Sequence, residues 1–420
     1  MITDKNNRVV VTGLGTVNPV GNDVKSSWES LINGKSGVGP ITLFDASAHD
    51  TKFAGEVKNF DPVNYINRKD ARRMDRFANF AVAAAREAFT QSGLTVDTSN
   101  NDCIGVIIGS GIGGLTTLYQ EMKVEIQQGP KRVSPFLVPM MITDMAASQV
   151  SIQLGLKGPN LCITSACSSG SDAIGVAYEL IKRGEVQAVV AGGSEAIINP
   201  IGVAGFNSLR ALSTRNDDPP GASRPFDATR DGFVIGEGAG ILMLENLEHA
   251  KKRGAKILAE ITGYGASADA FHITEPAESG EGASRAMQLA IQEAGITIND
   301  IDYIKAHGTS TPLNDKTETR AIKAVFGERA YKIPISSPKS MTGHLIGAAA
   351  AVEALICVMV IQNGIIPPTI NLHHPDPECD LDYVPNVARK ANINIALCTS
   401  FGFGGHNSVL VLKRFSEVSY

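Results

Sequence analysis

The chain of 420 residues contains one tryptophan, and aromatic residues make up only 6% of it. Charged residues are also sparse at 19%, with a formal net charge of -5. Without a basic excess, no general nucleic-acid surface is expected. The six cysteines, Cys103, Cys162, Cys167, Cys357, Cys379 and Cys398, lack both metal-ligand and disulfide spacing. Most lie in apolar strand-like or helical runs, so free, buried thiols in a reducing compartment are expected. Long unbroken apolar runs are missing as well. The opening MITDKNNRVVVTGLG holds no segment of signal length, and LIGAAAAVEALICVMVI is interrupted by Glu353 and reads as a core helix. These absences lead to the expectation of a cytoplasmic protein with no membrane insertion. GSGIGG and GEGAG both depart from dinucleotide and phosphate-loop patterns, so NAD and ATP binding are not expected.

What is present is an apolar share of 43%, arranged in alternating strands and helices. RVVVTGLG, CIGVIIGSG, NLCITSA, VQAVVAGGSE and AGILMLE are nearly continuous apolar strands, as in sheets covered by helices on both faces. The order then echoes itself. RVVVTGLG is matched by ILAEITGYG, the helix before Gly93 by the helix before Gly295, and CIGVIIGSG by YIKAHGTS. NLCITSACSSGSDAIGVAYELIKRGE is matched by KIPISSPKSMTGHLIGAAAAVEALICVMVIQNG. Two similar α/β halves follow, 1–255 and 256–420, with strand-end loops meeting at a shared site. Segments 115–150 and 197–235 have no counterpart in the second half and read as a pocket cap or a subunit interface, with plain loop growth as the alternative.

Several side chains could carry chemistry. Cys167 follows a strand and a short turn among small residues, at the expected start of a helix. Free N–H groups there would lower its thiolate pKa and hold an oxyanion; an inert buried thiol is the alternative. Of eight histidines, His307 in KAHGTSTPLND and His344 in PKSMTGHLIG both follow strands at equivalent edges of the second half. Neither has zinc-ligand spacing, whereas adjacent His373 and His374 read as structural. Lys339 could keep a histidine neutral and could partner Glu353, which needs one if buried. Asp315 and Glu318 could orient the site or cap a helix beginning near Lys316. SFGFGGHN permits a sharp turn and a close backbone approach. NRKDARRMDR carries Arg68, Lys69, Arg72, Arg73 and Arg76 over what reads as three helical turns. It could steer an acidic partner, or be a solvated face.

Taken together, TSACSSG, KAHGTSTPLND, PKSMTGH and TSFGFGG resemble the beta-ketoacyl-[acyl-carrier-protein] synthases, and among them the long-chain type II of dissociated fatty acid synthesis. The resemblance covers nearly the whole chain. It implies a thiolase-like fold, two similar halves in a five-layered α-β-α-β-α arrangement, assembled as a homodimer without metal or redox cofactor. Cys167 would take the acyl group from acyl carrier protein. His307 and His344 would stabilise the enolate left when malonyl-carrier protein loses CO2, ordered by Lys339 and Glu353, with Asp315 and Glu318 in support. The N–H groups of Cys167 and Phe401 would hold the oxyanion, with Phe401 as gate. Ile112, Phe136 and Phe206 would shape the acyl tunnel, Phe136 from across the dimer, and Thr309, Thr311 and Phe403 would also contact substrate. Arg68, Lys69, Arg72 and Arg73 would receive the carrier protein.

The chain departs from the usual family motifs at Ser168, Ser169, Pro338 and His406; all keep the reacting groups, so activity is expected, and the two serine hydroxyls could alter pocket polarity. Rival readings are a ketosynthase of a specialised carrier-protein pathway, a CoA-dependent thiolase and a non-catalytic chain-length partner. The thiolase would want a second reactive cysteine near the C-terminus, which GFGGHN does not supply, and Cys167 argues against the non-catalytic partner.

Overall fold

The computed structural model describes residues 7–417; residues 1–6 of the opening stretch, in which no segment of signal length is expected, and residues 418–420 lie outside it. Ten strands form one sheet: β1 (Val9–Val17), β2 (Ile104–Gly109), β3 (Asn160–Ile163), β4 (Ala188–Glu195), β5 (Gly238–Asn246), β6 (Ala259–Ala268), β7 (Tyr303–Lys305), β8 (Ile335–Ser336), β9 (Ile395–Gly402) and β10 (His406–Lys413). The spatial order is β8-β7-β9-β10-β6-β1-β5-β4-β2-β3. On either side of the β6–β1 seam, an antiparallel contact of Val9–Val11 with Ala259–Ile261, the same order recurs. The pairing senses recur too: β2 runs parallel to β3 and β4, while β5 is antiparallel to β4 and β1. In the second half β7 is parallel to β8 and β9, while β10 is antiparallel to β9 and β6.

Helices fill three layers around the two halves. α1 (Arg76–Ser92) and α2 (Met145–Leu154) cover the outer face of the first half. α3 (Ser169–Lys182) and α6 (Ala349–Asn363) share the central core with strands of both halves. α4 (Glu281–Glu293) and α5 (Pro312–Phe326) cover the outer face of the second half. This is the thiolase-like, five-layered arrangement expected from sequence. Small residues let the outer helices sit close: a Cβ at Gly13 or Gly15 would come within 2.0 or 1.9 Å of Ala88 O or Ala84 O. Gly263 and Gly265 play the same part against Ala290 and Ala286. That repeated contact explains the sequence echo between GLG and GYG.

The apolar stretch Ile346–Asn363 has the length and composition of a membrane span, yet 83% of that window is buried inside the fold. A helix apolar on all sides belongs between two sheets as well as in a bilayer, and this one forms the central layer.

Candidate active site

The turn that carries Cys167 joins β3 to α3. Ala166 adopts a left-handed φ of 52° and Ala166–Ser168 form a short 3-10 turn at the helix start. Such a conformation costs a non-glycine residue energy and must be held by its surroundings. The holding bonds are visible: Ser169 donates its hydroxyl to Ala166 O (2.7 Å) and accepts the Ser165 N–H (2.9 Å), while Ser400 donates to Cys167 O (3.0 Å). Ser168 donates to Ser400 O (3.1 Å) and His406 O (3.3 Å). The hydroxyls of Ser168 and Ser169 are therefore spent on backbone, and neither residue lines the cavity. His406 itself is exposed.

Cys167 is buried, and the site gathers around it. Its sulfur and the ring nitrogens of His307 and His344 lie within 4.8 Å of one another. The two imidazoles meet edge to face with centroids 5.4 Å apart, and Phe401 lies 5.8 Å from His307. Burial pushes the Cys167 thiol up to about 11, against the pull of Lys339 and of the backbone N–H groups of Phe403 and Cys167 itself. The lowered thiolate pKa expected from a helix N-terminus is thus overridden by desolvation: the resting group is a thiol. Besides the cysteine's own N–H, the backbone N–H that favours the thiolate is that of Phe403, whereas the family resemblance pointed to Phe401. Phe401 sits inside the β9–β10 ladder opposite Asn407, whereas Phe403 lies beyond its last paired residue, Gly402.

The histidines are held from behind. The His307 N–H donates to Glu318 Oε1 (2.7 Å) and Thr399 Oγ1 (3.1 Å), and the Gly308 N–H to Glu318 Oε2 (2.7 Å). Lys339 Nζ donates to His307 O (2.7 Å) and faces its Nδ1 at 3.4 Å, and it is also hydrogen-bonded to Glu353. An ammonium has only donors, so Nδ1 is the unprotonated nitrogen and Nε2 carries the proton. Burial holds both imidazoles well below the usual histidine pKa, and Lys339 lowers them further. His344 keeps both ring nitrogens buried without a hydrogen-bond partner. Two free polar atoms in a cavity wall are a cost that a ligand would relieve.

A buried lysine that sequence reasoning missed completes this cluster. Lys305 Nζ donates to Glu353 Oε2 (2.5 Å) and Thr399 O (2.7 Å) and is fully buried. The signal was present in YIKAHGT, where Lys305 stands two positions before His307 in an apolar strand and so shares its face. Asp315 lies further off, accepting the Phe226 N–H (2.8 Å) and pairing with Arg230. Neither Asp315 nor Glu318 caps the helix: it begins at Pro312, with Thr311 as N-cap.

The cavity in front of these groups measures about 520 Å³. Ile112, Phe206, Thr309, Thr311, Phe401 and Phe403 line it together with Cys167, His307 and His344. Segment 197–235 contributes Phe206 and Phe233 to its wall. Phe136 is not among the lining residues and instead lies under the Arg73 guanidinium at 4.7 Å. Arg68, Lys69, Arg72 and Arg73 are exposed. Arg76 turns inward to a salt bridge with buried Glu237 (2.6 Å), because the basic stretch is a short helix, Arg68–Ala71, followed by the separate start of α1 and not one continuous helix. The Cys167, His307 and His344 donors are close enough to share a metal ion, but the neighbouring ammonium groups of Lys305 and Lys339 make that trio a poor electrostatic host for a cation.

A buried thiol facing two neutral imidazoles across a largely apolar cavity is the equipment of a thiol-dependent acyl-transfer enzyme. Family models narrow the class: the Beta-ketoacyl synthase N-terminal domain matches residues 6–250 and the C-terminal domain residues 258–373. The chain belongs to the beta-ketoacyl synthase family. It is 53% identical over 408 residues to the 3-oxoacyl-[acyl-carrier-protein] synthase 2 of a Synechocystis species, covering 97% of this chain and 98% of that one. Against the Staphylococcus aureus protein of the same name it is 52% identical over 411 residues, covering 98% and 99%. Among solved structures, the ishigamide ketosynthase/chain length factor superposes with a TM-score of 0.92 at 37% identity, covering 98% of this chain and all of that one. A type II polyketide ketosynthase in complex with its acyl-carrier protein gives 0.90 at 36% identity, covering 97% and 100%.

Proposed function

We propose that the protein condenses an acyl group, held as a thioester on Cys167, with malonyl-acyl carrier protein in fatty acid elongation. The observation that carries this reading is the Cys167–His307–His344 cluster at the cavity wall, with the His344 nitrogens unpartnered. In the first step the Cys167 sulfur attacks the acyl thioester. The carrier's sulfur leaves and takes up the proton given by the thiol, and the N–H groups of Cys167 and Phe403 receive the carbonyl oxygen as it gains charge. In the second step the malonyl thioester oxygen lies between the two imidazoles. Cleavage of the carboxylate bond releases CO2 and leaves its electron pair as an enolate, which the neutral His307 Nε2–H and His344 stabilise by donation. No strong base is needed, so imidazoles kept neutral by burial and Lys339 suit the task. The carbanion attacks the Cys167 thioester, forming the new carbon–carbon bond and releasing the cysteine sulfur as a thiolate, which takes up a proton from solvent to restore the resting thiol.

The identity of 52–53% to proteins named 3-oxoacyl-[acyl-carrier-protein] synthase 2, against 36% to the type II polyketide ketosynthase and 37% to the ishigamide ketosynthase/chain length factor, favours fatty acid elongation over a specialised pathway. We also read residues 1–255 and 256–420 as the two halves and acyl carrier protein as the partner, received by Arg68, Lys69, Arg72 and Arg73. A homodimer is supported by the edge strand β3, which carries exposed Leu161, and by the exposed Met122, Ile126 and Val138 of segment 115–150; in it, Phe136 would serve the neighbouring subunit's tunnel. A cytoplasmic location is supported by free cysteines and the buried apolar helix. Intact-protein mass spectrometry tests the reaction. Acyl-carrier protein should add the acyl mass to wild-type protein and not to Cys167→Ala, and malonyl-carrier protein should then remove it with release of a beta-ketoacyl product. Condensation retained by Cys167→Ala would refute the assignment.

A further inference from the structure

The two halves place equivalent turns next to one another at the cavity wall. In the first, the 3-10 turn Ala166–Ser168 leads into α3; in the second, Ile346–Ala348 leads into α6. Both open on a left-handed non-glycine residue, Ala166 at 52° and Ile346 at 46°. Cys167 and Gly347 therefore occupy matching positions. The strand ends beside them match as well: β4 closes with Glu195 opposite the first residue of β5, and β9 closes with Gly402 opposite the first residue of β10. A Cβ on Gly402 would come within 3.1 Å of Cys167 N, so this glycine leaves the nucleophile's N–H open to substrate. On the other side the position is filled. The buried Glu195 carboxylate accepts the N–H groups of Gly111 (2.7 Å), Gly347 (3.1 Å) and Ile112 (3.3 Å), and the Ser110 hydroxyl (3.2 Å). Gly111, Ile112 and Ile346 all line the cavity.

We infer that Glu195 is a positioning residue for acyl-chain selection: its carboxylate occupies the anion-binding nest that the Gly347 N–H of the second-half turn forms with the Gly111 and Ile112 N–H groups of the first half, and so pins the Ile112 loop to the Ile346–Gly347 turn. The nest of three backbone N–H groups is the kind that binds anions. Filling it from within leaves the Cys167 turn, of the two matching turns, free to receive the acyl carbonyl oxygen, and fixes how far Ile112 stands from the nucleophile. Nothing in the condensation chemistry requires a carboxylate at this place, and no solvent reaches it.

This inference rests on the condensing-enzyme reading, and the experiment separates the two. Wild type, Glu195→Gln and Glu195→Ala, each first confirmed as folded by near-ultraviolet circular dichroism, are offered an equimolar mixture of octanoyl- and palmitoyl-carrier proteins. The ratio of the two adducts on Cys167 is read by intact mass. Glu195→Gln, nearly isosteric, turns an amide donor toward N–H donors and should shift the ratio toward palmitoyl by about tenfold, the size of one lost charge-assisted hydrogen bond. Glu195→Ala should shift it likewise, and formate, a carboxylate small enough for the emptied nest, should reverse that shift. An unchanged ratio in Glu195→Gln overturns the proposal, as does a shift in Glu195→Ala that formate leaves in place. Absence of any adduct on wild type refutes the parent reading instead.

Discussion

Replacing Lys339 by methionine tests how the histidines are kept neutral. The ammonium has three roles in the structure: it pairs with Glu353, donates to His307 O at 2.7 Å and faces His307 Nδ1 at 3.4 Å. Methionine fills similar volume but removes every one of these. Truncating one member of a buried ion pair costs about 3–5 kcal/mol. Glu353 retains Lys305 at 2.5 Å, so a loss near the lower end, about 3 kcal/mol, is expected in urea unfolding. Catalysis should suffer separately. With Nδ1 no longer fixed as the unprotonated nitrogen, His307 loses its tautomer and aim, a misplacement of the kind that costs about 100-fold. The pH profile is the discriminating readout. In wild type both histidines titrate well below 6.5, by burial first and Lys339 second. Malonyl-carrier protein decarboxylation, followed as CO2 release, should then show no histidine limb between about pH 6 and 8. In Lys339→Met both pKa values rise, and an acid limb should move up toward the usual histidine range. The linkage has a definite sign. A histidine whose folded pKa is depressed contributes stability above its unfolded pKa and loses it as pH falls, so the variant's unfolding midpoint should fall less steeply than wild type's on going below pH 6.5. A folded variant with a wild-type pH profile would refute the electrostatic role given to Lys339.

Gly402→Ala places a Cβ 2.8 Å from Ser165 O and 3.1 Å from Cys167 N; about 1–3 kcal/mol of destabilisation is expected from the overpacking, with acylation slowed more than malonyl decarboxylation in single-turnover assays. Ser168→Ala removes two hydrogen bonds to backbone carbonyls and should cost about 1 kcal/mol in thermal or urea melts, while leaving the acyl-chain preference unchanged because the hydroxyl does not reach the cavity. Charge reversal of Arg68 and Arg73, both exposed, should raise KM for carrier-protein substrates and flatten its salt dependence, while kcat is retained; unaffected KM would remove this surface from the docking reading.

Much of the fold was legible because its halves repeat a pattern of strand, turn and small-residue helix. The glycines of GLG and GYG reflect one packing contact used twice, and the two strand orders are the same. The nucleophile and the histidines were legible because polar, glycine-bearing turns interrupt apolar strands where a core alone would not place them. The remainder depended on distances that sequence does not encode. Cys167 sits at a helix start, which argues for a low pKa, yet its burial is decided by segments far along the chain, and burial prevails. Whether Phe401 or Phe403 offers its N–H to the sulfur turns on where the β9–β10 ladder stops, a boundary two residues wide. Lys305 and Glu195 were visible as charged residues in apolar strands, but only their partners show what they do.

The repeat also accounts for the division of labour at the site. A pseudo-symmetric pair of helix starts would offer two equivalent anion-binding turns, and a thioester could then settle in either. The halves avoid this by diverging at two strand ends and two turns. The first half keeps the thiol, at Cys167, and receives Gly402 from the second, so its N–H groups stay open. The second half keeps His344 just ahead of its turn, has glycine where the thiol would be, and receives the Glu195 carboxylate from the first. Each half thus supplies the residue that decides whether the other's turn is open or closed. A substitution that opened the closed turn would be expected to disturb the alignment of the acyl chain before it disturbed the chemistry at sulfur, since Glu195 holds Ile112 and Gly347 directly and reaches Cys167 only through its charge.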